Sequence, residues 1–237
     1  MPVSTAASRR PGLRPIRAVL FDFAETLLFP EETPEMIRAG LSALGNTQAV
    51  DAEIERLATE IESAFASEDY VSTRERRDLS AADHRAVFTA AFAAAEGMLE
   101  GLADAMYDRL TDPRSWKPYT DTQPALAALR REGIRLGVVS NIGFDIRPIF
   151  SHHRLAELVE TFALSFENGV VKPDPRLFEV AMRDLQVQPA ETLMVGDDVA
   201  DAGAVRAGAR VYLLPPVVTS ERRGLGEVLR LTEATGS

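Results

Sequence analysis

Four times along this chain a short run of branched and aromatic residues breaks off into a polar cluster. IRAVLFDF (16–23) carries Asp22 at its end, with Ala24, Glu25 and Thr26 close behind. IRLGVVS (134–140) closes on Ser140 and Asn141, Lys172 stands in VVKPDP, and TLMV (192–195) runs into GDDVAD with Asp197, Asp198 and Asp201. Such runs have no alternation of apolar and polar residues, so each is a strand buried on both faces, the habit of a parallel sheet. Further runs at 162–166 (FALSF) and 210–214 (RVYLL), with helical segments between most of them, predict an α/β fold with a Rossmann-like open parallel sheet. Ligands bind such sheets at the carboxyl ends of the strands, so the four clusters are expected in one crevice.

The helices carry their own punctuation. One is predicted to start at Thr122 as cap, with Pro124 in the first turn, and to stop at Gly133. Another runs from about Pro175 to Leu185, with Leu177, Phe178, Ala181 and Leu185 on one stripe. Between Pro30 and Trp116 strand-like runs vanish and helical spacing remains. Ile54, Leu57, Ile61 and Phe65 mark one stripe, Ser80 with Asp83 opens the next helix, and Val87, Phe88, Ala91 and Phe92 form its expected face. The predicted organisation is a disordered N-terminal arm (1–12), a core in two pieces (13–29 and 117–237) and an inserted α-helical cap (30–116). Trp116 and Tyr119 are expected to pack the junction, and His152 with His153 to form an exposed helix end.

Composition narrows the chemistry. With 36 acids against 26 bases and a net charge of −10, the chain is a poor partner for nucleic acid, which is held by clustered Lys and Arg. It has no cysteine, so thiolate metal sites and thiol nucleophiles are excluded. The first residues show no apolar signal core and no segment has transmembrane length, so a cytoplasmic location without membrane partners is expected. What remains is oxygen and nitrogen chemistry. Asp22 and Asp197, with a backbone carbonyl, suit Mg²⁺. Lys172 and the Ser140 hydroxyl can orient a phosphoryl group, and an ionised aspartate can attack phosphorus to give an aspartyl phosphate. Asp198 is expected chiefly to cap the following helix.

In the order and strand context of these clusters, the sequence resembles the haloacid dehalogenase-like hydrolases from about Ile16 to Leu229. The resemblance implies that Asp22 is the nucleophile, Ser140 and Lys172 are the second- and third-motif residues, and Asp22, the Ala24 carbonyl, Asp197 and Asp201 hold the metal. The helical insertion resembles the family's C1 cap. Thr26, Asn141, His84 and Arg85 are candidate substrate contacts. One position departs from the pattern: Ala24 stands where the family's phosphatases carry an aspartate that protonates the leaving group, and Glu25 replaces the usual glycine. Glu25 and His84 are the candidates to take over that proton transfer; without a substitute, activity should depend steeply on the leaving group.

Phosphonoacetaldehyde hydrolases share the alanine but need a cap lysine, and the only lysines here are Lys117 and Lys172. The expected function is a Mg²⁺-dependent phosphohydrolase acting on a small phosphorylated metabolite. The alternatives are a dehalogenase-type hydrolase acting on carbon and a non-catalytic phosphate-binding or regulatory protein.

Overall fold

The computed structural model describes residues 14–46, 48–216 and 222–233. The arm expected at residues 1–12 lies outside these residues. Seven strands are described: β1 (Ala18–Phe21), β2 (Leu28–Pro30), β3 (Trp116–Pro118), β4 (Arg135–Ser140), β5 (Thr161–Leu164), β6 (Thr192–Gly196) and β7 (Arg210–Leu213). Five of them form a sheet in the order β5-β4-β1-β6-β7, and every pairing in it is parallel. The α/β expectation holds for the reason given above: β1 is central and all four of its residues are buried.

Register then decides where the polar clusters emerge. Phe21 lies level with Val138 and Val195, so β1, β4 and β6 finish at one edge of the sheet. The Asp22 amide donates to Val195 O at 2.9 Å, which carries β1 pairing one residue further. On one face Leu20, Val139 and Met194 pack with Leu177, Phe178 and Ala181 of the helix Pro175–Asp184. On the other, Val19, Phe21, Leu136 and Val195 join Leu126 and Leu129 of the helix Thr122–Arg131 and the apolar face of the insertion.

The insertion joins the core through a two-stranded antiparallel ribbon, with Leu28 opposite Pro118 and Pro30 opposite Trp116. Between these strands the described elements are all helical: α1 (Thr33–Ala43), α2 (Asp51–Phe65), α3 (Glu68–Ser72), α4 (Arg74–Arg77), α5 (Ala81–Phe92), α6 (Leu102–Thr111) and a short 3-10 turn at Pro113–Ser115. A Cβ on Gly40 would fall 2.8 Å from Leu102 Cδ1, so the glycine lets α1 and α6 close on each other. Arg109 grips Glu31 with two hydrogen bonds of 2.6 and 2.8 Å, tying α6 to the chain just past β2.

Four local expectations are corrected. The α5 face is built from buried His84, Ala91 and Phe92 with half-buried Phe88 packed beside them, and Val87 is not part of it, because the neighbouring α6 and the loop after β4 meet the helix on its His84 side. Thr122 is the first helical residue and its hydroxyl donates to Leu27 O at 2.7 Å; Asp121 is the cap residue, its carboxylate accepting the amides of Arg223, Gly224 and Leu225. The strand expected at 162–166 ends at Leu164, since Ser165 turns to accept the Ile142 amide and opens a short helix. His153 is half-buried, with Nε2 2.7 Å from Trp116 O on the connecting ribbon, and of the pair only His152 is exposed.

Candidate active site

The loop after β1 is held from both sides. Phe23 is fully buried and its ring lies 4.4 Å from that of Trp116, which fixes the chain just past Asp22. Asp22 Oδ1 accepts the Phe23 amide at 2.7 Å and lies 2.7 Å from Lys172 Nζ. The same ammonium lies 2.7 Å from Asp201 Oδ1. Lys172 is held in place by Asn141, whose Oδ1 accepts the Lys172 amide at 2.7 Å and whose Nδ2 donates to its carbonyl at 3.0 Å. Asn141 thus positions the Lys172 backbone.

Asp201 is fully buried, and its second oxygen accepts the Asp198 amide at 3.1 Å. Asp198 in turn accepts the Ala200 amide at 2.8 Å, a reciprocal cap of the helix that follows. Asp197 is partly exposed, and its Oδ1 accepts the hydroxyl of buried Thr26 at 2.8 Å. Ser140 is buried at the end of β4 and lines the cleft.

Charge is unbalanced here. Burial would lower Lys172, but Asp22 and Asp201 outweigh it and hold the ammonium above its usual range. Burial pushes the Asp22 carboxyl up to about 7, Lys172 opposing and the Asp201 charge adding to the rise. Asp197 is raised by burial and by Asp201, against the Thr26 hydrogen bond. These shifts share a physical origin: three carboxylates in a poorly hydrated crevice face a single ammonium. Asp22, Asp197 and Asp201 each offer an oxygen, and these oxygens lie within 4.8 Å of one another. An all-oxygen donor set short of positive charge fits a hard divalent cation.

Above the crevice opens a cleft of about 630 Å³, floored by Asp22, Ala24, Ser140, Asn141, Lys172 and Asp197, with Arg74, Arg77 and Asp78 contributed by the insertion. His84 and Arg85 are not among its lining residues. His84 is buried, its Nδ1 2.9 Å from the Tyr107 hydroxyl and its ring stacked 4.2 Å from Phe88. Arg85 faces outward and pairs with Asp104 and Asp108 at 2.8 Å each. Glu25 is exposed at the rim with φ 57°; its Oε2 accepts the Tyr119 hydroxyl at 2.9 Å and its carbonyl accepts from Arg223 Nε. Sequence reasoning passed over Arg74, Arg77, Asp78 and Arg223. The basic run RERRD (74–78) in an acidic chain was the available signal for the first three; nothing local marks Arg223.

Fold and site together define an open-sheet α/β enzyme whose polar groups are strand-end carboxylates and one lysine beneath a helical roof. The chain belongs to the haloacid dehalogenase-like hydrolases, whose family model matches residues 16–208. It is 40% identical over 100 residues to a glyceraldehyde 3-phosphate phosphatase of Methanopyrus kandleri, an overlap of 39% of this chain and 41% of that protein. The chain spans less than half the length of the curated relatives it matches. Among solved structures, a haloacid dehalogenase-like phosphatase from Thermococcus onnurineus superposes with TM-score 0.57 at 24% identity, over 91% of this chain and 97% of that one. A 2-haloacid dehalogenase from Pseudomonas syringae pv. Tomato DC3000 gives the same TM-score of 0.57 and 24% identity, over 94% of this chain and 100% of that one. Fold likeness therefore does not separate phosphorus from carbon chemistry. No helix among the described residues is long and apolar enough to cross a membrane.

Proposed function

We propose that the chain is a Mg²⁺-dependent phosphohydrolase of a small phosphorylated metabolite, with Asp22 as nucleophile. The observation that carries this reading is the convergence of Asp22, Asp197 and Asp201 oxygens within 4.8 Å of one another. Chemistry on carbon needs no such surplus of carboxylate, whereas a phosphate dianion brought beside Asp22 does need compensating cations. The phosphatase relative named above supports the same choice.

In this reading Asp22, Asp197, Asp201 and the Ala24 carbonyl hold Mg²⁺, which when bound neutralises charge on the phosphate oxygens. Lys172, held beside Asp22 by Asn141, would neutralise charge on the phosphate, and the Ser140 hydroxyl would donate to one of its oxygens. Asp22 attacks phosphorus and becomes an aspartyl phosphate, later hydrolysed by water. Residues 30–116 serve as a cap over the core (13–29 and 117–237), turning about the chain near 29–32 and 115–118. The methyl of Ala24 favours a second reading, a phosphate-binding protein without turnover.

Trapping separates these readings. Incubation with acetyl phosphate and Mg²⁺ should leave phosphate on Asp22, and chelator or Asp22→Asn should abolish the label. Halide release from 2-haloacids in the presence of chelator would instead establish the carbon chemistry. Phosphate binding without label or turnover would establish the binding protein.

A further inference from the structure

Breaking an ester P–O bond expels an alkoxide, which needs a proton in the transition state, and the methyl of Ala24 has none to give. The donor must line the cleft, lie outside the metal cluster and be shielded from water so that it can hold a proton. Apart from the nucleophile Asp22, the carboxyl groups lining the cleft are Glu25, Asp78, Asp197 and Asp198. Asp197 belongs to the metal cluster. Asp198 caps its helix through the Ala200 amide and lies 3.7 Å from Arg74. Glu25 sits at the exposed rim and accepts the Tyr119 hydroxyl.

Asp78 remains, and its setting differs from the others. It follows α4 in the roof of the cleft and is only 4% exposed. Its backbone carbonyl accepts the Ser165 hydroxyl at 2.6 Å, and Ser165 also accepts the amide of Ile142, two residues past Ser140. The roof is thus fastened to the core beside the floor residues. Arg77 Nε reaches Asp78 Oδ1 at 3.3 Å, and His84 Nε2 stands 3.9 Å from the same oxygen.

We propose that Asp78 is the general acid and base of this site, supplied from the helical roof in place of the group missing at Ala24. The proposal rests on the phosphohydrolase reading above. In the first step an Asp22 oxygen bonds to phosphorus, the bond to the leaving oxygen breaks, and that oxygen takes the Asp78 proton. The products are aspartyl phosphate, a free alcohol and the Asp78 carboxylate. In the second step water attacks phosphorus, its proton passes to Asp78, and the Asp22–phosphorus bond breaks to release inorganic phosphate. The electrostatics suit a proton holder: burial raises the Asp78 carboxyl, outweighing Arg77, Lys172 and Arg74, while the neighbouring His84 is held neutral. Tyr70 is the remaining titratable group near Asp78. Because the acid rides on the roof, proton transfer is possible only with the roof docked.

The test compares kcat/KM, which reports phosphoenzyme formation, across acetyl phosphate, aryl phosphates of graded leaving-group pKa and alkyl phosphates, in the parent and in Asp78→Asn. The parent should show weak leaving-group dependence. Asp78→Asn should lose about a hundred- to ten-thousand-fold on alkyl phosphates and less than about tenfold on acetyl phosphate. Asp78→Asn combined with Ala24→Asp should recover part of the alkyl phosphate activity. A loss of equal size on every substrate, with or without a fall in melting temperature, would mean that Asp78 only props the roof, and no loss would also overturn the proposal. If the parent turns over none of these substrates, the phosphohydrolase reading fails and the Asp78 assignment fails with it. If parent turnover depends on Asp22 but Asp78→Asn loses evenly, Asp78 alone is overturned.

Discussion

Oδ2 of Asp201 lies so close to the backbone of Gly196 that a Cβ added to the glycine would stand 2.0 Å from it. The glycine that opens GDDVAD is therefore required by the buried carboxylate five positions later, which must reach back across the end of β6 to meet Lys172 at 2.7 Å.

Gly196→Ala should push Asp201 off Lys172, at a cost of about 1–3 kcal/mol for overpacking. Phosphoenzyme formation should fall with it, since Lys172 then keeps only one of its two carboxylate partners. Thermal melts and acetyl phosphate labelling check both effects; a fully active, equally stable Gly196→Ala protein would mean that Asp201 has room to move.

Metal should stabilise the native protein alone. At a Mg²⁺ concentration about a hundred times Kd the gain is about 2.7 kcal/mol, visible as a rise in Tm. Asp197→Ala should remove most of that rise, and Thr26→Val should reduce it by a smaller amount through the lost 2.8 Å hydrogen bond to Asp197. An Asp197→Ala protein whose Tm responds to Mg²⁺ like the parent would exclude Asp197 as a ligand.

Acid should loosen the roof through His84. Burial, with Arg77 adding to it, lowers its pKa from 6.5 to about 3. Above pH 6.5 neither the folded nor the unfolded chain protonates His84, so the full stability is present. Between 6.5 and 3 the unfolded chain binds a proton that the native state does not, so stability falls as pH falls, by about 1.4 kcal/mol per pH unit. Melting curves from pH 7 to pH 4.5 should therefore drop more steeply in the parent than in His84→Gln, and parallel curves would exclude His84 as a source of the acid sensitivity.

Glu25 occupies left-handed backbone at φ 57°, a conformation that costs a side chain with a Cβ about 1–2 kcal/mol and a β-branched one more. Tyr119 and Arg223 hold it there. Glu25→Gly should leave Tm within a few degrees of the parent, because relief of strain offsets the lost Tyr119 contact. Glu25→Val should lower Tm clearly, with Tyr119→Phe changing it little. Equal melting of the Gly and Val variants would show that the turn relaxes to accommodate either residue.

What the sequence by itself determined is the open parallel sheet and the gathering of Asp22, Ser140 and Asp197 at one edge of it; Lys172 ends no strand and comes to that edge past the short helix Ser165–Asn168. Both follow from local rules: apolar runs without alternation are buried on both faces, and residues that end neighbouring parallel strands must lie together. The insertion was legible as helices, yet which of its side chains face the crevice was not. Periodicity on α5 tells that His84 shares a face with Phe88, but not that this face meets Tyr107 and Phe144 instead of the cleft. The α4 helix, Arg74–Arg77, is too short to show a period at all, and it is the segment that brings Arg77 and Asp78 into the cleft that holds Asp22. Arg223 reaches Glu25 from 198 positions away. Those placements depend on the angle at which the helical unit docks on the sheet and on how the chain end folds back, both set by packing between segments remote in sequence. Only the tertiary structure decided them.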